Sequence, residues 1–214
     1  MTSSLAAHAH TQIIEMILSG ALIPGDILQE AKLGALLDMS RTPVREAIKR
    51  IEAEGLARKE GRFLRVRNLL PDEVEEIFFL RGLLETYAAR VAIALPHSAL
   101  DAIEARIVDL MRVGPSDVEE QHRVDDDFHR LLTESTGNAN LASTIADLRL
   151  RTCMFDAHRV PQRFLHGCEE HLGIIAALRS ADAELAGARM SQHIVHARDA
   201  ILGRLEKYRG DQPQ

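Results

Sequence analysis

Tryptophan is absent from this 214-residue chain, and aromatic residues together make up only 4% of it. With so few rings available, Phe78, Phe79, Phe128, Phe155 and Phe164 are expected to pack a core, a dimer or ligand surface being the alternative for Phe78-Phe79. Cysteine is nearly absent too. Cys153 and Cys168 are too few for a disulfide framework; they suit a reducing compartment and read as small buried hydrophobes. No apolar run approaches the roughly 20 residues that span a bilayer. The opening Met1-Thr-Ser-Ser-Leu-Ala-Ala lacks the basic start and apolar stretch of a signal peptide. A cytoplasmic protein with no membrane partner is expected. Internal repeats and low-complexity segments are also missing.

What remains is an ordinary globular balance, 46% hydrophobic and 27% charged, long enough for two small domains. The net charge of −6 is unevenly spread. Residues 1–69 hold ten Lys or Arg against eight Asp or Glu, and residues 70–214 hold sixteen against twenty-four. Any attraction to phosphate is therefore local to the basic stretch Arg41 to Arg67, and the acidic remainder discourages indiscriminate nucleic-acid binding.

That basic stretch carries the most specific pattern. In Ser40-Arg-Thr-Pro-Val-Arg-Glu-Ala-Ile-Lys-Arg-Ile51, Ser40 stands where an N-cap belongs and Pro43 falls in the first turn. Val44, Ala47, Ile48 and Ile51 recur at helical spacing, and Gly55 stops the helix. Arg41, Arg45, Lys49 and Arg50 occupy other faces. Upstream, Ile13, Ile14, Ile17 and Leu18 mark a helix over 11–18. Pro24-Gly25 marks a turn, and Leu28 to Leu37 leads through a short helix. Downstream, residues 56–67 alternate charged and apolar around Gly61, as a two-stranded wing does. A lone basic helix is more often a solvated face. Helix, helix, tight turn, helix and hairpin within seventy residues instead specify a winged helix-turn-helix whose third helix enters a major groove.

Residues 1–69 resemble the GntR family of bacterial transcription regulators, through Pro24-Gly25, Leu28, the Leu33 to Leu37 helix, Ser40 to Ala47, Glu54-Gly55-Leu56 and Gly61. The resemblance implies DNA contacts from Arg41 and Arg45, with the wing tip near Gly61 approaching the minor groove; Ser40, Thr42, Lys49, Arg50 and Arg62 complete the DNA-contacting set expected from this pattern. It departs in the second helix, where Ala31 and Lys32 stand in place of an arginine that some members direct to DNA.

Asn68-Leu-Leu-Pro71 marks a boundary, and residues 70–214 read as helix throughout. Ile77, Leu80, Leu84, Tyr87, Ala88 and Val91 predict a long helix from Asp72 towards Pro96. Further helices are expected over about 98–112, from Ser116-Asp117 (with Glu119 and Glu120 at its positive end) to before Gly137, over 139–158 and 161–179, and from Asp182 to Tyr208. Arg209 to Gln214 reads as a polar tail. The fold class is mainly α: a winged helix-turn-helix of three helices plus a small β-wing, then an antiparallel six-helix bundle.

Asp125 and His129, four residues apart, share one helix face, while His171 and His193 lie on later helices. Three imidazoles and a carboxylate suit a divalent ion, although eight histidines in one domain also produce such spacings by chance. This second domain resembles the FCD domain of the FadR-like branch, in its smaller VanR-like form. The resemblance rests on Arg81-Gly-Leu-Leu-Glu85, Asp125-x-x-x-His129, Gly137-Asn138, Glu170-His171 to Leu178, and Asp182 to His193. It implies Asp125, His129, His171 and His193 as ligands, with Asp126 the rival carboxylate. Zinc is the leading ion, and nickel or manganese are alternatives. It also implies that Arg81, whose unaided reading is a surface pair with Glu85, meets an acidic effector through a two-point clamp. His196, one turn beyond His193, either lines the same pocket or faces solvent; His158 and His166 read as surface residues.

These readings converge on a homodimeric regulator, usually a repressor in the family, that binds palindromic operator DNA and responds to a small carboxylated metabolite beside the metal. A metal-dependent hydrolase would use the same ligands to activate water, but it leaves the DNA-binding module unexplained and lacks a general base at a recognisable spacing. A regulator sensing the ion itself is the third class. Ligation without cysteine counts against selective sensing of a soft ion.

Overall fold

The computed structural model describes residues 2–114, 118–156 and 161–210. The chain divides into two compact units, Met1–Leu69 and Leu70–Gln214. The start of the helix at Ser116-Asp117, the side chains of Glu119, Cys153, Phe155 and Tyr208, His158 and the tail 211–214 lie outside the described residues.

The first unit runs α1 (Thr2–Leu18), α2 (Glu30–Leu36), α3 (Arg41–Ala53), β1 (Ala57–Glu60) and β2 (Phe63–Val66). Helix α1 begins well before Thr11, because Ala6, Ala7 and Ala9 favour helix through propensity without giving an apolar period. Ile13 and Ile17 of α1 and Val44, Ala47, Ile48 and Ile51 of α3 are buried, and these two helices pack together. Ser40 holds the N-cap position of α3 in extended backbone, but its hydroxyl makes no capping bond and stays exposed. At the other end, Gly55 turns the chain with φ +75°, and the Leu56 amide reaches Ile51 O at 3.1 Å.

The turn from α2 to α3 is tight. Asp38 takes φ +51°, and the Met39 amide donates to Gly34 O at 2.9 Å. A Cβ at Gly34 would stand 2.8 Å from Met39 O, so this position needs glycine. Strands β1 and β2 pair antiparallel with Glu60 opposite Phe63, leaving Gly61-Arg62 as the wing tip. The segment after Pro24-Gly25 joins the wing edge, where the Leu28 amide donates to Leu64 O at 2.9 Å and the Val66 amide to Asp26 O at 2.8 Å.

The second unit comprises α4 (Pro71–Val91), a single 3-10 turn (Ala92–Ala94), α5 (His97–Val113), α6 (Val118–Glu134), α7 (Ala139–Asp156), α8 (Pro161–Arg179) and α9 (Ala183–Gly210). Helix α9 thus continues two residues past Tyr208. Side-chain caps fix two helix starts: Asn138 Oδ1 accepts from the Leu141 amide at 3.1 Å, and Asp182 Oδ1 from the Leu185 amide at 2.9 Å. Helix α4 packs on α6, α7 and α9, and α8 packs between α5 and α9. This is the helical bundle expected.

The predicted core stripe of α4 needs correction. Leu80 and Tyr87 are exposed, and Phe79 is 67% exposed, whereas Val74, Ile77, Phe78, Arg81, Glu85, Ala88 and Ala89 are buried. Apolar residues lie on two faces of α4. A period of 3.6 fits either face, and the buried one includes a charged pair that a hydrophobic pattern cannot reveal.

Candidate metal centre and nucleic-acid interface

Helix α6 carries Asp125 and His129, α8 carries His171, and α9 carries His193. Phe128 stacks on the His171 ring at a centroid distance of 4.1 Å and fixes its plane. His129, His171 and His193 are all buried, and one ring nitrogen from each lies within 4.8 Å of the others. The Nε2 atoms of His171 and His193 face each other at 3.3 Å, and His129 Nε2 has no hydrogen-bond partner among the described residues. A buried, unpaired imidazole nitrogen beside two converging ones fits a metal ligand set.

The opposite edges of two of these rings are held by carboxylates. Glu85 abuts His129 Nδ1, and Glu170 Oε2 lies 2.7 Å from His193 Nδ1. A proton on His193 Nδ1 donates to Glu170 and leaves the Nε2 lone pair for an ion, the usual outer support of a metal-binding histidine, and Glu85 stands in the corresponding place against His129 as a charged contact. Burial, reinforced by the Arg149 cation, lowers the His129 pKa to about 4. Burial and the neighbouring His193 push His171 well below its ordinary value. Both are therefore neutral near pH 7, as ligation requires.

Asp125 is not fully gathered into this cluster. Its Oδ1 is 3.6 Å from His171 Nε2, while its Oδ2 accepts from Arg149 at 2.6 Å. Burial favours its protonated form, but Arg149 overcomes this and holds the carboxyl well below the usual range. Asp126, 64% exposed, does not line the cavity. Of the two carboxylates, Asp125 is the one beside the imidazoles.

These residues line a cavity of about 740 Å³, counting its open mouth, together with Arg81, Arg149, Arg163, Gln121 and Cys168. Arg81 is buried, not on the surface. Its Nε donates to Glu85 at 2.7 Å, one terminal nitrogen to Thr152 Oγ1 at 3.1 Å, and its guanidinium lies over Phe78. Burial alone would raise the Glu85 pKa, yet Arg81 and then His129 hold it far below normal. Arg149 and Arg163, which the sequence reading passed over, are cavity cations as well. The Gln121 Nε2 donor is buried there without a partner among the described residues. Burial, with Asp125 adding to it, raises the Cys168 thiol to about 11, so it is no ready thiolate ligand. His196 does not line the cavity; it binds Glu170 Oε1 from the other side at 2.5 Å.

In the first unit, Ser40, Arg41, Thr42, Arg45, Lys49 and Arg50 form one exposed face of α3, and Gly61 and Arg62 are exposed at the wing tip. Arg50 is tied to Glu54 at 2.8 Å. Arg41, Arg45, Lys49 and Arg62 have no ion-pair partner among the described residues. Four unneutralised cations on one small unit suit a polyanion.

Residues 5–62 match the gntR family of bacterial regulatory proteins and residues 76–196 match the FCD domain. An HTH-type transcriptional regulator in an unstable DNA locus of Streptomyces ambofaciens is 30% identical over 216 residues, covering 96% of this chain and 86% of that protein. The HTH-type transcriptional repressor RspR of Escherichia coli is 26% identical, covering 84% and 81%. The fold is shared with the solved structure of E. coli McbR/YncC, at TM-score 0.79 and 23% identity, covering 94% and 98%. Among the described residues, no helix is long and apolar enough to cross a membrane. A winged helix with a free basic face, joined in one chain to this helical domain, thus belongs to the gntR family of regulators with an FCD domain, and the protein is a transcriptional regulator, not an enzyme.

Proposed function

We propose that this regulator is a homodimeric repressor whose operator affinity is set by a small carboxylated metabolite bound beside a divalent metal in the helical domain. The convergence of ring nitrogens from His129, His171 and His193 in a cavity lined by arginines carries this reading. Zinc suits three imidazoles and a neighbouring carboxylate, with nickel and manganese as alternatives. One carboxylate oxygen of the metabolite completes the coordination, and donors of Arg149, Arg163 and Gln121 take the rest. Arg81, whose Nε and one terminal nitrogen donate to Glu85 and Thr152, lines the same cavity and offers its remaining donors to the metabolite carboxylate.

A second copy of the chain is the partner that fits the exposed apolar face of α4. Phe79, Leu80, Leu83 and Tyr87 are exposed there, with Val195 of α9 beside them. Glu75 and Arg90 lie about two turns either side of Leu83, and Arg90 is held only by an exposed pair with Glu184 that it can exchange. A two-fold axis near Leu83 therefore sets Glu75 of each copy opposite Arg90 of the other, which is self-complementary. Two winged helices then address the two halves of a palindrome.

The test is calorimetric titration of candidate carboxylic acids into the metal-loaded protein, with and without operator DNA. If the metabolite weakens operator binding by some factor, DNA must weaken metabolite binding by the same factor. Equal metabolite affinities in the two titrations reject control by this cavity. Sedimentation of a Leu83→Glu variant as a monomer, against a dimeric parent, checks the apolar face.

A further inference from the structure

Glu170 has two oxygens with different neighbours. Oε2 is taken by His193 Nδ1 and by Arg163 Nη1, each at 2.7 Å. Oε1 faces outward, 3.0 Å from His166 Nε2 and 2.5 Å from His196 Nδ1. His166 and Glu170 are one turn apart on α8, and His196 comes from α9 beside them. One ligand atom from each of the three lies within 4.8 Å of the others, and the two rings are 5.4 Å apart between centroids. Glu170 is mostly buried, while the side chains of His166 and His196 are 53% and 36% exposed.

We propose that His166, Glu170 Oε1 and His196 form a second, solvent-facing site for a divalent transition ion, sharing Glu170 with the buried histidine cluster. Two imidazoles and one carboxylate oxygen select zinc, nickel or copper over calcium or magnesium, which take oxygen ligands. The short contacts to Oε1 are hydrogen-bond distances, at which a proton stands where the ion would sit. Metal–ligand distances of about 2.0–2.2 Å require the ligand atoms to open slightly around the ion. The exposed rings of His166 and His196 can move outward to allow this. Water completes the coordination from the solvent side. Arg163 already neutralises much of the Glu170 charge, so this site binds more weakly than the inner one.

Sharing Glu170 gives the outer ion a route inward. A cation on Oε1 draws density from the carboxylate that supports His193, so His193 becomes a poorer donor to the inner ion. The outer site thereby opposes the inner one at high metal concentration.

The experiment titrates zinc chloride alone into chelator-stripped full-length protein near neutral pH, by calorimetry and equilibrium dialysis. It compares the parent, His166→Ala/His196→Ala and His129→Ala/His171→Ala, with a milder His166→Asn/His196→Gln pair and circular dichroism guarding against misfolding. Two ions per chain in the parent, with loss of only the weaker event in both outer variants, is the expected result. The inner variant should keep the weaker event. The same stoichiometry in parent and outer variants overturns the proposal, as does loss of both events in a folded inner variant. A parent that binds one ion, unaffected by the outer substitutions, overturns it while leaving the inner metal intact. A single event abolished by the outer substitutions instead supports the outer site and counts against the metal reading of the inner cavity.

Discussion

Glu170 holds His193 by its Nδ1 at 2.7 Å and thereby turns Nε2 towards the Nε2 of His171. His193 and Arg163 share the same carboxylate oxygen, and hydrogen bonds from His193, His196 and Arg163 outweigh burial to lower the Glu170 pKa to about 2. The residue before His171 in the sequence is thus an anchor for the ring that follows it in space.

Replacing that anchor in the His166→Ala/His196→Ala background isolates its effect on the inner metal. Glu170→Gln preserves size but weakens the acceptor, and supporting residues of this kind typically contribute about 10–100-fold in metal affinity. A loss of that order in zinc competition against a chromophoric chelator is expected, with operator binding by the metal-free protein unchanged. Undiminished zinc affinity removes Glu170 from the support of His193.

Acid should destabilise the metal-free helical domain in two stages. His129 has its pKa lowered from 6.5 to about 4, so between these values the unfolded chain binds a proton that the folded one refuses. Stability is therefore complete above pH 6.5 and is lost as pH falls towards 4. His171 acts in the same direction. The depressed carboxyls of Glu170, Asp125 and Glu85 stabilise above their ordinary range and lose that contribution as pH falls further. A shift like that of His129 corresponds to something on the order of 3 kcal/mol at about 1.4 kcal/mol per pKa unit. Thermal unfolding in the presence of chelator should show Tm falling from pH 6.5 downward, with a shallower first stage in His129→Gln. A flat Tm between pH 6.5 and 4.5 contradicts this.

Arg81→Ala is expected to cost about 3–5 kcal/mol in urea unfolding, because it leaves Glu85 charged and buried. Glu85 is only 1% exposed and has Arg81 and His129 as its close partners. Arg81→Met/Glu85→Leu should recover much of that stability while weakening metal binding through His129. A stable Arg81→Ala protein would mean that water or Arg149 compensates Glu85.

The winged helix was legible because local chemistry specifies each part of it: Pro43 in the first turn, Gly55 past the last, Gly61 at a hairpin tip. The six later helices were legible for the same reason, since Gly114, Gly137 and Asp182 punctuate them. Thr2 to His10 was missed, as alanine propensity leaves no apolar period. The histidines could be picked out singly because imidazole is scarce and chemically distinctive. Their supports could not. Glu85, Arg149, Arg163 and Glu170 look like ordinary helical surface charges in one dimension, and only packing of α4, α7 and α8 buries them around one cavity. His196 illustrates the same limit: its spacing from His193 places it one turn on, and the neighbouring helix decides that it meets the outer oxygen of Glu170.

Gly34→Ala should destabilise the DNA-binding unit selectively. The added Cβ would stand 2.8 Å from Met39 O, a backbone atom held by the turn into α3. Forced contacts of this kind cost about 1–3 kcal/mol. Proteolysis and hydrogen exchange should show residues 1–69 opening more readily, with zinc binding retained by the helical domain. Unaltered protection in residues 30–55 would show that the turn can relax.

Arg45 and Arg50 are both exposed on α3, yet they should differ in their contribution to operator binding. Arg45 has no ion-pair partner among the described residues, whereas Arg50 Nε donates to Glu54 Oε1 at 2.8 Å, and Glu54 is itself held by His10 at 2.6 Å. Glu54 must be given up before Arg50 can turn to DNA, and an exposed pair of this kind holds it by up to about 1 kcal/mol. Arg45 also lies one turn nearer the helix N-terminus, the end that reaches base edges in this motif. Arg45→Ala is therefore expected to lose about 1–3 kcal/mol of operator affinity and to relax sequence preference. Arg50→Ala should lose less, uniformly across sequences, with a salt slope reduced by about 1 if it touches phosphate. Fluorescence anisotropy at several fixed salt concentrations, with operator and scrambled duplexes, separates these outcomes. Equal, sequence-independent losses for the two variants would reduce Arg45 to a phosphate contact and shift base recognition to Arg41 or Thr42.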